Sequence, residues 1–328
     1  MQNYNFLQKK LHRLILGKQF LKKILFDIEK SLFYKKLQNV NVKEQQHIFI
    51  TGLPRSGTTI LLKFLHQTKE FASLTYADMP FVLAPNLFSK ISKKRNIQSQ
   101  ERMHQDGIKF DLNSPEAFDD VFFQIFNNEE SKENLEIFVS LVLQRYKKYR
   151  YLSKNNNNYK RIELILSVFP GAIILIPYRE PLQHAYSLLQ QHKLFCQMQK
   201  KDKFVLEYMN FLGHNEFGLH YKSWNLPKKY IDPFSLNHWL EQWYLFYQNI
   251  IHDNTKTKNT ILISYNGLCK NHILVQKLIS KTNLNEINNL NFFRLSEKNI
   301  SIDYNKYNLS KCYEIFDQME NLSNNLIN

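Results

Sequence analysis

Residues 47–61 read HIFITGLPRSGTTIL, an apolar run followed by a glycine-containing turn and the start of a helical pattern. The run HIFIT is typical of a buried strand, Gly52 and Pro54 interrupt it, and helical spacing then extends from Thr59 to Gln67. Glycines let the backbone curl around an anion, and a helix that begins there points free N–H groups at it. The stretch therefore predicts a phosphate-binding loop between a strand and a helix.

The loop has the glycine spacing of a P-loop but lacks the P-loop lysine. A nucleotide-triphosphatase loop reads G-x-x-x-x-G-K-[ST], whereas Thr58 stands here in the lysine position and the cation is Arg55, inside the loop. This difference argues against ordinary ATP or GTP hydrolysis. A strand–helix turn without a ligand is the alternative interpretation. If the loop binds phosphate, we expect its ligands to come from Arg55, Ser56, Gly57, Thr58 and Thr59.

A second anion site is predicted where a later strand ends. Arg179 follows the apolar run AIILIPY at 172–178, and Pro181 suits the first turn of a helix. Arg179 therefore stands at the carboxyl end of a strand, the edge at which open α/β sheets bind ligands. Ser187 comes about two helical turns later, so both side chains can reach one phosphate. The alternative is an arginine paired with Glu180 and a buried serine.

Apolar strands alternate with helical patterns along the chain. Strands are predicted at 47–51, 72–76, 149–153, 172–178 and 260–265, and 86–110 is expected to be irregular. Helices are predicted at 115–149, 159–169, 180–195, 203–212, 237–252, from 266 to 281, and at 310–322. This alternation predicts an α/β fold, a P-loop-type three-layer α/β/α arrangement with a mostly parallel, about five-stranded sheet and helical insertions. An aromatic group is assigned to the core: Trp239, Trp243, Tyr244, Phe246 and Tyr247.

Residues 1–40 are predicted to be an amphipathic helical segment ahead of one domain at 41–328. Apolar residues recur at helical spacing from 5 to 38, and the opposite face carries Lys and Arg. Packing on the core is favoured, and contact with a membrane surface is the alternative. The segment has no signal-peptide core, and the longest uncharged run is too short to span a membrane.

The composition gives weaker information. Lys plus Arg is 44 and Asp plus Glu is 29, a net charge of +15 that favours anionic partners. Much of the excess is Lys dispersed among Asn and Ile, so nucleic acid is not the expected partner. The three cysteines, Cys196, Cys269 and Cys312, lack metal-ligand spacing, no metal is expected, and their number fits a reducing, cytoplasmic location.

Taken together, the two anion motifs resemble those of the sulfotransferase superfamily. PRSGTT resembles its 5′-phosphosulfate-binding loop, as in a bacterial branch that shares this loop with tyrosylprotein sulfotransferases, and Arg179 with Ser187 resembles its 3′-phosphate motif. The similarity runs from about 46 to 195 and more weakly to Tyr265. It implies the donor 3′-phosphoadenosine 5′-phosphosulfate. The acceptor is then a hydroxyl, or an amine, on a glycan, lipid, small molecule or peptide tyrosine.

The resemblance also implies catalytic residues. Asp78, after the second strand, is the candidate general base, with a turn or capping role as the alternative. Lys154, at the end of the third strand, is the candidate cation for the transferring group, or else a solvated lysine. Arg55 would stabilise the leaving phosphate.

Two departures from the family pattern accompany these residues. Asn155 and Asn156 replace the acid and proline that often follow the lysine, and Tyr265-Asn266-Gly267-Leu268 replaces Tyr-Glu-Asp-Leu. The segment that closes over the donor is expected at 293–308, with Arg294, Lys298 and Lys306 as candidates. A P-loop small-molecule kinase, a basic nucleic-acid-binding module and an inactive sulfotransferase relative are the competing hypotheses.

Overall fold

Five parallel strands form the central sheet. The structure, a computed structural model, describes residues 4–34, 41–91, 99–104, 107–225, 229–254, 258–285 and 290–327. Its strands in chain order are β1 (Ile48–Ile50), β2 (Phe71–Ala72), β3 (Gln100–Glu101), β4 (Lys109–Phe110), β5 (Arg150–Lys154), β6 (Ile173–Tyr178) and β7 (Thr260–Ser264). The sheet order is β2-β5-β1-β6-β7, and β3 and β4 form a separate antiparallel pair. The predicted α/β fold with about five parallel strands is confirmed.

Helices cover both faces of this sheet. They are α1 (Phe6–Gly17), α2 (Gln19–Phe33), α3 (Thr58–His66), α4 (Pro85–Ile91), α5 (Asp120–Phe123), α6 (Asn128–Tyr146), α7 (Ile162–Val168), α8 (Pro181–Lys201), α9 (Lys203–Phe211), α10 (Leu236–Asn254), α11 (Tyr265–Lys270), α12 (His272–Lys281) and α13 (Lys306–Ile327). Short 3-10 turns at Val42–Glu44, Tyr76–Asp78, Asn156–Arg161 and Leu290–Phe292 complete the described helical structure. None of these helices is long and apolar enough to cross a membrane.

The strands are buried on both faces, as parallel strands are. Along β1, Phe49 packs into one hydrophobic cluster, while Ile48 and Ile50 pack into a second cluster on the other face. The core position predicted for the aromatic residues of α10 is confirmed for Trp239, Trp243 and Tyr247, which are fully buried.

The strand register gathers the predicted motifs at one edge. Ile50, the last residue of β1, is paired with Lys154 at the end of β5 and with Leu175 in β6. The loop after β1, Lys154, and Arg179 after β6 therefore all lie at the carboxyl edge of the sheet. This is the edge at which a ligand site is expected in such a fold.

The two N-terminal helices pack on the rest of the chain through one face. Helix α1 contacts α9, and α2 contacts α4 and α6. Leu16, Phe26 and Phe33 are buried in the main core, which agrees with the favoured interpretation of this segment. The domain boundary near residue 40 stays a prediction, and residues 35–40 lie outside the described part of the chain.

Four local predictions were wrong. The single helix expected from 266 to 281 is α11 followed by α12, because Asn271 accepts a hydrogen bond from the Ile273 amide and starts a new helix. The single helix expected at 115–149 is the short α5 followed by α6, because Asn127 accepts a hydrogen bond from the Glu130 amide and starts a new helix. The strand expected at 72–76 ends at Ala72, because Thr75 caps the next 3-10 turn. The segment 86–110, expected to be irregular, contains most of α4 and the β3–β4 hairpin in its described residues.

Candidate functional site

The loop after β1 has the backbone of an anion-binding turn. Gly52 (φ 138°), Arg55 (φ 70°) and Gly57 (φ 104°) all have positive φ, and Gly57 is the residue before helix α3. A Cβ on Gly57 would overlap the ring of Tyr265, so the loop also needs glycine there for space. Positive φ at Arg55, a residue with a side chain, is a strained conformation of the kind found at functional sites.

The two predicted anion motifs meet in space. Arg55 Nε donates a hydrogen bond to Ser187 Oγ at 3.1 Å, although the residues are 132 positions apart. Arg55, Arg179 and Ser187 line one cavity, and Lys298 borders it. An adjoining cavity is lined by Arg55, Arg179, Thr58, Thr59, Gly57, Tyr265 and Arg294. We call these two cavities, which share Arg55, Arg179 and Ser296, the anion cleft.

Helix α8 supports the loop after β1 through His184. Trp243 Nε1 donates to His184 Nδ1 at 3.1 Å, so the proton of the imidazole lies on Nε2, which donates to the carbonyl oxygen of Pro54 at 2.8 Å. Burial lowers the pKa of His184 to about 3, so the ring is neutral. His184 therefore positions the loop, and His192 is likewise a packed residue whose Nδ1 accepts from the Gly218 amide at 3.3 Å.

A second cavity, which we call the Glu116 cavity, adjoins the cleft at Arg55, Thr58 and Thr59 and has a volume of about 70 Å³. The Glu116 carboxylate lies 3.3 Å from Arg102 Nη1 and 3.7 Å from Lys154 Nζ. Burial by itself would raise the pKa of Glu116, but Lys154 and Arg102 outweigh it and lower that pKa to about 2. The cavity therefore contains an ionised carboxylate between two cations.

Lys154 is held in place by its neighbours in the chain. Ser153 donates to the buried Asp119 carboxylate, and Asn155 donates to Asp120 at 3.0 Å. Asn155, one of the two asparagines that depart from the family pattern, thus anchors the end of β5. Burial raises the pKa of Asp119 to about 6.

A histidine–glutamate pair lies across the Glu116 cavity. His214 Nδ1 is 3.1 Å from Glu216 Oε1, and Asn156 donates to the same carboxylate oxygen at 3.3 Å. Burial disfavours the charged imidazole, but Glu216 outweighs that effect and raises the pKa of His214 to about 9. The pair therefore adds one protonated imidazole and one carboxylate to the cavity lining.

Asp78 lies outside the Glu116 cavity and the anion cleft. Its carboxylate accepts hydrogen bonds from the Thr75 amide at 2.9 Å and from the Tyr146 hydroxyl, and it lies 3.4 Å from Arg145 Nε. It forms the capping box of the 3-10 turn with Thr75. The structure therefore gives Asp78 the capping contacts that were its alternative role, and burial raises its pKa.

The structure brings most of the other predicted residues together. Arg55, Thr58, Thr59 and Lys154 line the Glu116 cavity, Gly57, Arg179 and Ser187 line the anion cleft, and Ser56 is fully buried and lines neither. The other acidic, basic and histidine residues of the Glu116 cavity were not singled out from the sequence: Arg102, His104, Glu116, His214 and Glu216. They come from segments without a recognisable motif, and Glu116 stood within the helix predicted at 115–149. Among the described residues, no three His, Cys, Asp or Glu side chains are grouped as a metal site.

Comparison with known families gives a direct result. The profile of the Sulfotransferase family matches residues 47–271, from the strand before the loop to the end of α11. The match spans more than half of the chain and includes the loop, Glu116, Lys154, Arg179 and Ser187. Among curated proteins, no match to this chain was found.

Solved structures with a similar fold are bacterial sulfotransferases. Sulfotransferase STF1 from Mycobacterium tuberculosis H37Rv has a TM-score of 0.51 and 11% identity, over 87% of this chain and 79% of that one. Sulfotransferase STF9 from Mycobacterium avium has a TM-score of 0.44 and 13% identity, over 96% of this chain and 78% of that one. At such identities the likeness to STF1 concerns the fold.

Proposed function

This chain belongs to the sulfotransferase family, and on that premise we propose that it transfers a sulfuryl group from 3′-phosphoadenosine 5′-phosphosulfate to an acceptor hydroxyl. The observation that carries the proposal is the hydrogen bond from Arg55 to Ser187. It joins the loop that suits a 5′-phosphosulfate to the helix that suits a 3′-phosphate. A donor that carries phosphate at only one position would need only one of these two motifs.

The anion cleft offers suitable partners for both ends of the donor. The amides of the loop and the first turn of α3, with Arg55, Ser56, Thr58 and Thr59, would bind the 5′-phosphosulfate. Arg179 and Ser187 would bind the 3′-phosphate, with Lys298 nearby. Within the predicted closing segment 293–308, Arg294 and Ser296 line the cleft, which supports a role in closing over the donor, whereas Lys306 lines neither cavity of the cleft.

The reaction is an in-line displacement at sulfur. The acceptor oxygen forms a new bond to sulfur while the bond from sulfur to the bridging phosphate oxygen breaks, and its electron pair leaves with adenosine 3′,5′-bisphosphate. The acceptor proton passes to a carboxylate. Such a transfer needs positioning and charge stabilisation more than covalent help from the protein.

Glu116 suits the role of general base better than Asp78. It lies in the cavity that adjoins the loop, whereas both oxygens of Asp78 are engaged in capping and pairing contacts outside it. A base must reach the proton that it removes, so geometry decides first. The low pKa of Glu116 keeps it ionised. An anionic donor bound beside Lys154 and Arg102 would compete for their charge, so the pKa of Glu116 would rise when the donor binds.

Arg55, Lys154 and Arg102 are placed to stabilise the charge that develops on the leaving phosphate and the sulfuryl oxygens. Arg102 Nη1 lies 3.3 Å from both Glu116 Oε2 and Thr59 Oγ1, so it joins the carboxylate to the loop. Cations that already surround the transferring group cost little reorganisation during the reaction. Arg102 is thus assigned a role that the sequence did not suggest.

Calorimetric titration of the purified protein tests the proposal. We expect adenosine 3′,5′-bisphosphate to bind, and labelled donor to give a sulfated product with a suitable acceptor. Tight binding of ATP with magnesium, without binding of the bisphosphate, would contradict the proposal and favour a kinase. Salt-dependent binding of DNA without nucleotide affinity would favour the nucleic-acid alternative.

A further inference from the structure

Another cavity lies under helix α1, next to the Glu116 cavity. The described residues leave a cavity of about 280 Å³ there, and we call it the α1 cavity. Its apolar and aromatic lining residues include Tyr4, Leu11, Met79, Phe88, Phe110 and Leu112. Polar side chains also line it: Gln8, His12, Gln100, Arg102, His104 and Asp111. The proposed reaction of the Glu116 cavity does not by itself explain an apolar space of this size.

The α1 cavity leads to the proposed base. Tyr76, Arg102, Met103 and His104 line both cavities. The ring of Tyr76 is 4.5 Å from that of Phe110 on one side and 5.1 Å from that of Phe118 on the other. Phe118 lines the Glu116 cavity, and the Tyr76 hydroxyl donates to Glu116 Oε2 at 3.5 Å. A row of three aromatic rings, Phe110, Tyr76 and Phe118, therefore leads along one side of the α1 cavity to the carboxylate.

We propose that the α1 cavity binds the apolar stem of the acceptor, and that the acceptor is an amphiphile, a hydroxyl group on an alkyl or aryl-alkyl chain. This inference rests on the proposed function, because it assigns the acceptor of the same site. A glycan would bond with polar lining residues such as Gln100 and Asp111, but it would leave the apolar part of the lining without a matching surface. An apolar stem gains from leaving water, and it would place its terminal hydroxyl at Glu116.

Two sources of such an acceptor are compatible with the position of the cavity. Helix α1 turns Leu11 toward the cavity, whereas Phe6, Leu7 and Leu14 are exposed on its outer face. A lipid surface against that face would bring a membrane-held alcohol close to the cavity, and a dissolved alcohol would reach it from water. The experiment therefore includes both forms.

The test measures kcat/KM with labelled donor for butanol, octanol and a neutral oligosaccharide. We expect kcat/KM to rise by about tenfold or more from butanol to octanol, because each buried methylene adds hydrophobic binding. A parallel assay uses hexadecanol held in phosphatidylcholine vesicles. Turnover in vesicles alone identifies a membrane source, turnover of dissolved octanol alone identifies a soluble source, and either supports the inference.

Variants on opposite faces of α1 locate the stem. Leu11→Gln and, independently, Phe88→Gln are expected to lower kcat/KM for octanol by about tenfold while changing that for butanol by less than about twofold. Leu14→Gln, on the exposed face, is the matched control and should leave both values unchanged. Binding of adenosine 3′,5′-bisphosphate reports whether each variant remains folded.

The outcomes separate this inference from the proposed function. If the bisphosphate binds but kcat/KM does not depend on chain length, or if only the oligosaccharide is sulfated, the amphiphilic acceptor is wrong and the sulfotransferase function stands. If wild-type protein does not bind the bisphosphate, the proposed function fails and this inference fails with it. The chain-length series on wild-type protein decides the matter even if both cavity variants are unfolded.

Discussion

Asp78 is a buried carboxylate and Glu116 is partly buried, with 12% of its side chain exposed, and their contacts indicate different roles. Glu116 is surrounded by cations in the Glu116 cavity, whereas Asp78 accepts from Thr75 and Tyr146 and pairs with Arg145. At the scale of single residues, the contacts of each carboxylate therefore favour Glu116 as the base. The catalytic role of Asp78 stays a prediction that its contacts do not support.

Glu116→Gln tests this assignment. We expect kcat to fall by about 10² to 10⁴-fold, because the variant cannot accept the acceptor proton, while affinity for adenosine 3′,5′-bisphosphate changes little. Asp78→Asn is the comparison. It should lower the free energy of unfolding by about 1–3 kcal/mol through loss of its charged contacts and leave kcat of the folded protein within about twofold. If Asp78→Asn lowers kcat strongly and Glu116→Gln does not, then Asp78 is the base.

His214 predicts a pH dependence of stability. Its pKa of about 9 in the folded protein lies above the usual 6.5, because Glu216 outweighs the effect of burial. The stabilisation is therefore complete below pH 6.5 and is lost as the pH rises through about 9, with a slope of up to about 1.4 kcal/mol per pH unit. Urea unfolding at several pH values should show a flatter alkaline limb for His214→Gln. Equal slopes in the two proteins would show that the pair is not charged.

At the scale of elements, the loop between β1 and α3 depends on Gly57. Gly57→Ala places a Cβ at φ 104° against the ring of Tyr265. We expect a loss of about 1–3 kcal/mol in the free energy of unfolding and weaker bisphosphate binding. Gly171→Ala is the control, because a Cβ there would lie 3.6 Å from the Glu44 carbonyl oxygen, an ordinary contact. Melting temperatures that fall equally in both variants would contradict this account.

The sequence predicted elements best where a signal is local. Continuous apolar runs placed β1, β6 and β7 to within one residue at each end, and the loop and Arg179 came from motifs at strand ends. Glu116 and His214 escaped prediction because they reach the cavity from segments far apart in sequence. Helix α6 shows the same limit, since the Asn127 cap breaks a stretch that looks continuously helical.

At the scale of the whole molecule, the N-terminal helices leave an apolar surface uncovered by the described residues. Phe20, Ile24, Ile28 and Leu32 follow one another at four-residue spacing along α2, and each is between 41% and 63% exposed. With the exposed residues of α1 and the lysines of this segment, they suit the surface of an anionic bilayer. The membrane contact considered from the sequence remains a prediction.

Co-sedimentation with vesicles tests this surface. We expect the protein to bind vesicles that contain phosphatidylserine and to bind neutral vesicles more weakly, because the bilayer charge adds to apolar burial. Ile24→Glu with Ile28→Glu should abolish binding while leaving the melting temperature unchanged, since neither side chain is buried. Binding that survives this double change would assign the lipid contact to another surface.

The joining of two anion motifs into one donor site is the central claim, and Arg179 tests it most directly. Calorimetry should compare adenosine 3′,5′-bisphosphate with adenosine 5′-monophosphate on wild-type protein, Arg179→Ala and Gln190→Ala, a control at an exposed residue that also lines the cleft. We predict that Arg179→Ala weakens the bisphosphate by about tenfold or more, since it removes a charged hydrogen bond to the 3′-phosphate, and leaves the monophosphate unchanged. Equal losses for both nucleotides, or no loss for either, would contradict a 3′-phosphate site at Arg179.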